Sequence, residues 1–238
     1  MSVLLLSDLH LPAQPSRLRD VFVEFLEGPA RSAKQVFILG DLFEYWIGDD
    51  VGLQVYAREL SRLAALSAKG VAVAFMRGNR DFLVGDAFAQ ITGATLLEDP
   101  TRLTLAGVPT LLSHGDLYCT DDLAYQRWRR ISRNPLCQAV FRALPRGWRE
   151  RIAGNLRSQS ASGKAMKPAG IMDVNEGAIA RAFAQHGVTR IIHGHTHRPA
   201  DHRYDGGGRE RIVLADWRPD RMEYLQADDD GLRRVQLV

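Results

Sequence analysis

Five apolar runs along this chain each end at a polar tip. Val3-Leu4-Leu5-Leu6 leads into Asp8-Leu9-His10, and Val36-Phe37-Ile38-Leu39 into Gly40-Asp41. Val71-Ala72-Val73-Ala74-Phe75-Met76 leads into Gly78-Asn79-Arg80-Asp81, and Thr110-Leu111-Leu112 into His114-Gly115-Asp116. Val188-Thr189-Arg190-Ile191-Ile192 leads into His193-Gly194-His195-Thr196-His197. Short apolar runs bounded by Gly, Ser, Asn or Asp predict buried strands. Between them the period changes. Ser16–Leu26 carries Leu18, Phe22, Phe25 and Leu26 at helical spacing, Leu53–Leu66 repeats the pattern, and Phe82–Ile91 predicts a short helix. Strand and helix in alternation predict a layered α/β fold. Leu96–Leu97, Arg102–Leu105 and Thr110–Leu112 then predict short strands, with Gly107-Val108-Pro109 as a turn.

Asp121–Arg157 breaks the alternation. It is helical in pattern throughout, interrupted at Pro135 and Pro145. Leu136, Val140, Phe141, Leu144, Trp148, Ile152 and Leu156 make one face apolar. Ser158–Gly170, rich in Ser, Gly and Lys, predicts a loop. The alternation resumes with Asp173 as N-cap and Glu176 three residues on, a capping-box spacing, and a helix to His186 stopped by Gly187. After the histidine cluster come a Gly206-Gly207-Gly208 turn and the runs Arg211–Leu214, Met222–Gln226 and Leu232–Val238, which predict terminal antiparallel strands. The division that follows is a core of residues 1–120 and 171–238 with a helical lid insert at 121–170.

Composition changes this picture little. Of 238 residues 45% are apolar and 25% charged, which is ordinary for a globular chain. No apolar run approaches the ~18 residues of a membrane span, and Met1–Leu6 is too short for a signal peptide. Cys119 and Cys137 form neither metal-ligand spacing nor a disulfide framework, which predicts a cytoplasmic protein with reduced thiols. Charge adds more. The net value is +3, but residues 121–168 hold eleven Lys/Arg against Asp121, Asp122 and Glu150. That surplus of eight positive charges leaves the rest of the chain at −5, so the basic character belongs to the insert.

Each polar tip alone is a cap, a turn or a buried histidine. Together, in order and on strand ends, Asp8, His10, Asp41, Asn79, His114, His195 and His197 form a ligand set. In the histidine cluster, alternate residues on an extended chain face one way, so His195 and His197 reach one site together. Carboxylate, imidazole and amide donors without thiolate suit Mn, Fe, Zn or Mg. Seven ligands exceed what one catalytic zinc takes and suffice for two ions sharing a carboxylate. Two ions about 3.5–4 Å apart clamp the attacking and leaving oxygens of a phosphoryl displacement. The expected nucleophile is then a metal-bound hydroxide, with no protein nucleophile.

The tips Asp8-x-His10, Gly40-Asp41, Gly78-Asn79, His114 and Gly194-His195-x-His197 resemble those of the calcineurin-like metallophosphoesterases. The resemblance implies a four-layer α/β-β/α sandwich of two mixed sheets with a dimetal site at the strand ends. It implies Asp8, His10, Asp41 and His197 on one ion, and Asp41, Asn79, His114 and His195 on the other. One departure stands out. Most of that superfamily has a histidine directly after the asparagine, where this chain has Arg80. A guanidinium cannot give up its proton near neutral pH, but it can hold a phosphate bidentately.

Gly78-Asn79-Arg80-Asp81-Phe82-Leu83, Gly40-Asp41-Leu42-Phe43-Glu44-Tyr45-Trp46 and His114-Gly115-Asp116 resemble a narrower group within the family. So does the spacing Ser160, Lys164, Lys167. These are enzymes of lipid A synthesis that split the pyrophosphate of a lipid-linked nucleotide at the α-phosphorus, usually with Mn2+. By that resemblance Asp41, Asn79, Arg80, His114 and His195 are catalytic. Asp122, Ser160, Lys164 and Lys167 contact the sugar-phosphate head group together with Asn79, Arg80 and His195, and Tyr125 joins them. The insert suits such a substrate. Its apolar stripe, with Trp128, Phe141 and Trp148, could shelter acyl chains at ~0.8 kcal/mol per buried methylene. Its arginines could hold the protein to the anionic cytoplasmic face of an inner membrane. Nucleic acid is not expected as a partner, and no oligomer is implied. Two other readings stay open: a generic phosphoesterase acting on soluble nucleotides or phosphoproteins, and a non-enzymatic membrane scaffold.

Overall fold

The computed structural model describes residues 2–166, 171 and 173–238, with the backbone alone from 157 to 166. The chain runs β1 (Val3–Leu6), α1 (Arg17–Glu27), β2 (Gln35–Leu39), α2 (Asp49–Val55), α3 (Ala57–Ala68), β3 (Ala72–Met76), α4 (Asp86–Thr92) and β4 (Thr95–Leu97). Then follow β5 (Thr101–Leu105), β6 (Val108–Ser113), α5 (Leu123–Ser132), α6 (Pro135–Ala143) and α7 (Arg146–Met166). It ends with α8 (Glu176–His186), β7 (Arg190–His193), β8 (Ala200–Tyr204), β9 (Arg209–Val213), β10 (Glu223–Asp228) and β11 (Gly231–Gln236).

Strand alternation builds four layers. In one sheet, ordered β11-β10-β1-β2-β3-β4, strands β1 to β4 are parallel and β10 and β11 antiparallel. In the other, ordered β5-β6-β7-β9-β8, β6, β7 and β9 are parallel and the two edge strands antiparallel. Leu4, Leu6, Val36, Ile38 and Phe75 face outward onto Phe22, Phe25, Leu60 and Leu63 of α1 and α3. The intervening residues Leu5, Phe37, Leu39 and Met76 meet Leu112, Ile192 and Ile212 of the second sheet. Leu111 and Ile191 face the opposite way, onto Ile179 and Phe183 of α8. A period of two thus feeds two cores from one strand. Burying each such side chain contributes roughly 1.5–3 kcal/mol. This is the expected α/β-β/α sandwich. The parallel strands β1, β2, β3, β6 and β7 all end at one edge, where their polar tips gather.

Several sequence expectations are corrected. The helix expected over Leu53–Leu66 is two, broken at Tyr56, whose hydroxyl donates to the Leu11 carbonyl at 3.0 Å and whose ring lies 4.2 Å from Phe43. Packing of one aromatic overrides a continuous helical pattern. The helix expected from Phe82 starts at Asp86, because the Asp49 carboxylate accepts from the Gly85 and Ala87 N–H groups and fixes the first turn there. The turn placed at Gly107-Val108-Pro109 is Ala106-Gly107, both at positive φ as a two-residue hairpin turn requires, and Val108 and Pro109 belong to β6. Asn175, not Asp173, caps α8: its side chain accepts from Ala178 N–H, while Asp173 accepts from Val174 and pairs with Arg198. The terminal strands do not form one antiparallel run. β9 pairs parallel with β7, and β10 crosses to the first sheet beside β1. β8 was not anticipated, since Asp201-His202-Arg203-Tyr204 lacks an apolar run and gains its place as an edge strand.

The basic segment folds as three helices between β6 and α8. Asp122 caps α5, and Asn134 caps α6 with Pro135 in the first turn. Residues 158–166, expected as loop, continue α7. Gln, Ala, Lys and Met there favour helix, and one glycine costs only about 1 kcal/mol. Residues 167–170, the remainder of the expected loop, lie outside the described residues.

Cys119 is buried and Cys137 exposed. Burial, with help from Asp116, pushes the Cys119 thiol up to about 12. At pH 8 a thiol reagent should therefore modify Cys137 and leave Cys119 untouched until denaturant is added. Mass spectrometry of native and unfolded protein checks this, and equal labelling of both cysteines in the native state would contradict the packing.

Candidate active site

Five ligand residues, on three of the polar tips, owe their aim to backbone shape. Asp8, His10, Asp41, His195 and His197 all have φ between 47° and 67°. Non-glycine residues adopt this left-handed region at a cost, and such positions cluster at functional sites. The turns reinforce one another: Asp8 N–H donates to Gly40 O at 3.0 Å, His10 N–H to Asp41 O at 2.9 Å, and His195 N–H to Asp8 Oδ2 at 2.8 Å. Gly78 is obligatory here, because a Cβ would run into the Asp41 carboxylate and backbone.

The side chains converge as two clusters. On one side His10 Nε2 and His197 Nε2 lie 3.1 Å apart, with Asp8 Oδ1 3.4 Å from His197 and 3.9 Å from His10. On the other, Asn79 Oδ1 stands 3.1 Å from His114 Nε2 and 2.8 Å from His195 Nδ1. Asp41 faces both, with Oδ2 3.9 Å from His10 and Oδ1 3.7 Å from His114. Asp8, His10 and His197 satisfy a metal-site geometry, as do Asp8, Asp41 and His114. All seven expected ligands are thus brought together. His195 and His197 do not reach one point along an extended strand, however. Their left-handed backbones send His195 to Asn79 and His197 to Asp8. His193, third in that cluster, turns away: it is buried, with its imidazole against the Gly194 carbonyl and Arg211.

Electrostatics test whether a cation fits. Asp8 Oδ1 is buried with no hydrogen-bond partner, an expensive state unless something positive completes it. Burial opposes Asp8 ionisation, but His197, His114 and His10 hold it well below the usual carboxylate range. For His114 burial lowers the pKa, yet Asp41, Asp8, Asp116 and Asp99 lift it to about 9. A proton on His114 Nε2 then sits where a ligand lone pair would be needed. Its Nδ1–H donates to Leu39 O at 2.9 Å, which fixes the ring. Burial, and then the His114 charge, push His195 down to about 4, so it stands neutral as a ligand must. A carboxylate-rich pocket that gathers protons onto histidine, with an undonated buried oxygen, fits divalent cations.

Other residues shape the site without having been singled out in the sequence. Asp81 is fully buried and accepts from the N–H groups of Gly78 at 2.7 Å, Leu42 at 2.8 Å and Asp41 at 3.3 Å, which ties the β2 and β3 turns together. Asp216 lies 3.5 Å from His197 Nδ1 and bonds Arg218 and Arg221. It follows β9 and Leu214-Ala215, so the rule that found the other tips could have found it. Glu44 stands 3.8 Å from Arg80 and 4.0 Å from His10.

Arg80 opens toward a cavity of about 810 Å³. Trp46, Phe82, Leu83, Trp128, Phe141 and Leu156 line it, together with Asn79, Arg80 and Tyr125. The Tyr125 hydroxyl donates to Asp116 at 2.7 Å, and its ring centroid lies 5.5 Å from that of His195. Asp122 caps α5 through Tyr125 N–H. Ser160 and Lys164 lie on α7 where the backbone alone is described, and Lys167 lies outside the described residues. Trp148, expected in a lipid chamber, faces outward at 66% exposure.

Residues 1–199 match the family model for calcineurin-like phosphoesterases. The chain belongs to that family. It is 47% identical to a UDP-2,3-diacylglucosamine hydrolase from Nitrosococcus oceani, over 91% of this chain and 88% of that one. It is 46% identical to a protein of the same name from Pseudomonas aeruginosa, over 99% and 98%. Among solved structures a dimetal phosphatase from Danio rerio aligns over 100% of this chain and 99% of its own, at a TM-score of 0.51 and 14% identity, which supports the calcineurin-like fold.

Proposed function

We propose that this chain hydrolyses the pyrophosphate bond of UDP-2,3-diacylglucosamine in lipid A synthesis, releasing UMP and 2,3-diacylglucosamine 1-phosphate. The observation that carries this reading is a cavity lined mainly by apolar side chains that Asn79 and Arg80 also line. A phosphate gripped there would place its acyl chains against Phe82, Trp128 and Phe141, as the relatives' name leads one to expect. Helices α5 to α7 act as the lid of that chamber.

Asp8, His10, Asp41 and His197 would hold one divalent ion, and Asp41, Asn79, His114 and His195 the other, with Mn2+ as the usual choice. Such ions, when bound, make water nucleophilic near neutral pH and offset phosphate charge. The chain's own work is orientation and charge. Arg80, fixed by its N–H on Asp41 Oδ1 at 2.8 Å and its carbonyl on Trp46 N–H, offers its guanidinium to the pyrophosphate. A guanidinium stabilises negative charge and is no general acid near neutral pH, so leaving-group protonation does not fall to this side chain. None is needed: a phosphate monoester leaves with a second pKa near 6.

The outer lid surface suits a membrane. Leu136, Val140 and Trp148 are exposed, with the exposed Arg142 and Arg146 nearby in sequence. Arginines near an anionic surface contribute about 1 kcal/mol each. Not every lid arginine is available, as the sequence had suggested. Arg149 is buried on Asp50 and the Ile47 carbonyl, and Arg129 pairs with Asp116 and Asp99. The reading is therefore of a peripheral protein on the cytoplasmic face of the inner membrane. No described helix is long and apolar enough to cross a membrane.

Turnover with Mn2+ in 18O-water tests the reaction. The expected products are UMP carrying one labelled oxygen and an unlabelled lipid 1-phosphate. Label in the lipid product, a trapped phospho-enzyme, or equal turnover of UDP-sugars without acyl chains would overturn the proposal.

A further inference from the structure

Arg133 has no role in the reading above, yet it joins the lid to the metal-site turn. It is the C-cap of α5, with its own N–H bonded to the Arg129 and Ile131 carbonyls. Its guanidinium Nη2 donates to Arg77 O at 3.2 Å and Gly78 O at 3.0 Å, and lies 3.8 Å from Asp116 Oδ2. Those two carbonyls immediately precede Asn79 and Arg80. The side chain is only 22% exposed, so these bonds are shielded from bulk water.

The rest of α5 grips a different loop. Tyr125 and Arg129 bond the Asp116 carboxylate, and Gln126 bonds the Asp116 and Cys119 carbonyls. The helix thus rests on the turn after β6 along most of its length and touches the turn after β3 through Arg133. From inside, Asp81 holds Gly78 N–H. From outside, Arg133 holds the Arg77 and Gly78 carbonyls. Both faces of the same peptide segment are pinned, and the pinned segment delivers Asn79 Oδ1 to His114 and His195 and the Arg80 guanidinium to the cavity.

We infer that Arg133 is a positioning residue: through the Arg77 and Gly78 carbonyls it sets where Asn79 and Arg80 stand, and so couples lid seating to the hydrolytic site. Misplacement of a reacting group by about 1 Å costs on the order of 10²-fold in rate, and loss of an outer-shell partner weakens metal binding or activity by about 10- to 100-fold. This inference rests on the dimetal hydrolase reading. It adds that a lid arginine matters even for a substrate with no acyl chain for the lid to hold.

Arg133→Met keeps the apolar stem and removes the donors. It should lower kcat by about 10- to 100-fold on both UDP-2,3-diacylglucosamine and bis-p-nitrophenyl phosphate, with KM little changed. Titration of Mn2+ into metal-free protein, followed by calorimetry, should show weaker binding by about tenfold. Arg133→Lys, which keeps a donor, should recover part of both losses. In a double mutant with Arg80→Met the two effects on kcat should fail to add, since one acts partly through the other. Arg127→Met, on the exposed side of α5, serves as a control and should leave all readouts unchanged. Loss confined to the acylated substrate, unchanged Mn2+ binding, or strict additivity with Arg80→Met would overturn the inference. If the unaltered protein hydrolyses neither substrate with Mn2+ present, the hydrolase reading fails instead.

Discussion

Asp41→Asn should all but abolish hydrolysis, with kcat falling on the order of 10⁴-fold, or about 5.5 kcal/mol of transition-state stabilisation. Asp41 turns one oxygen toward His10 in one cluster and the other toward His114 in the second. The asparagine variant keeps an acceptor for Arg80 N–H and removes the charge that the two ions would share. Fold loss does not explain the outcome in advance, because burial and the Asp41 charge together hold Asp81 up to about 7. Removing that charge relieves its repulsion of Asp81 and forfeits its attraction to the His114 imidazolium; the two changes oppose each other, so the metal-free variant should melt close to the unaltered chain. Circular dichroism and turnover measured on the same preparation separate the two effects. Activity retained within about tenfold of the unaltered chain would end the shared-carboxylate arrangement.

Phe141→Glu should split the substrates. Phe141 lies on α6 and lines the cavity that Asn79 and Arg80 also line. A carboxylate there faces apolar neighbours and would meet acyl chains, where each methylene left in water forfeits ~0.8 kcal/mol. Four methylenes suffice for about a hundredfold loss in kcat/KM for the acylated substrate. Bis-p-nitrophenyl phosphate, which has no chain to house, should turn over at nearly the unaltered rate. This contrast differs from that expected for Arg133→Met, which lowers both. Equal losses on both substrates for Phe141→Glu would remove the lipid-chamber reading and leave a phosphoesterase of soluble esters.

The two variants also show where information lies along the chain. Ligand residues could be found because each is signalled locally: an apolar run, a small residue, then a polar tip. The same local chemistry produced the break at Pro135 and the stop at Gly187. Elements set by contacts distant in sequence were misplaced. Tyr56 interrupts a continuous helical pattern because Leu11 and Phe43 hold it. Asp49 moves the start of α4 by reaching across from another helix. By charge alone the lid arginines form one class, whereas Arg129, Arg133 and Arg149 each bind a particular core loop and Arg142 and Arg146 are exposed.

The sequence by itself determined the seven metal-binding candidates, the departure at Arg80 and the basic character of residues 121–168, because side-chain chemistry and strand period are properties of neighbours in the chain. Tertiary structure alone decided which histidine meets which carboxylate, since left-handed turns at His195 and His197 send them apart. It alone showed what Asp81 and Asp216 do there, because the groups they hold lie on other loops. It also decided that only part of the insert's apolar stripe, Phe141, Ile152 and Leu156, lines the cavity with Arg80, while Leu136, Val140 and Trp148 face outward. Those outcomes depend on how two sheets and three helices pack in three dimensions, and packing joins residues that no local pattern connects.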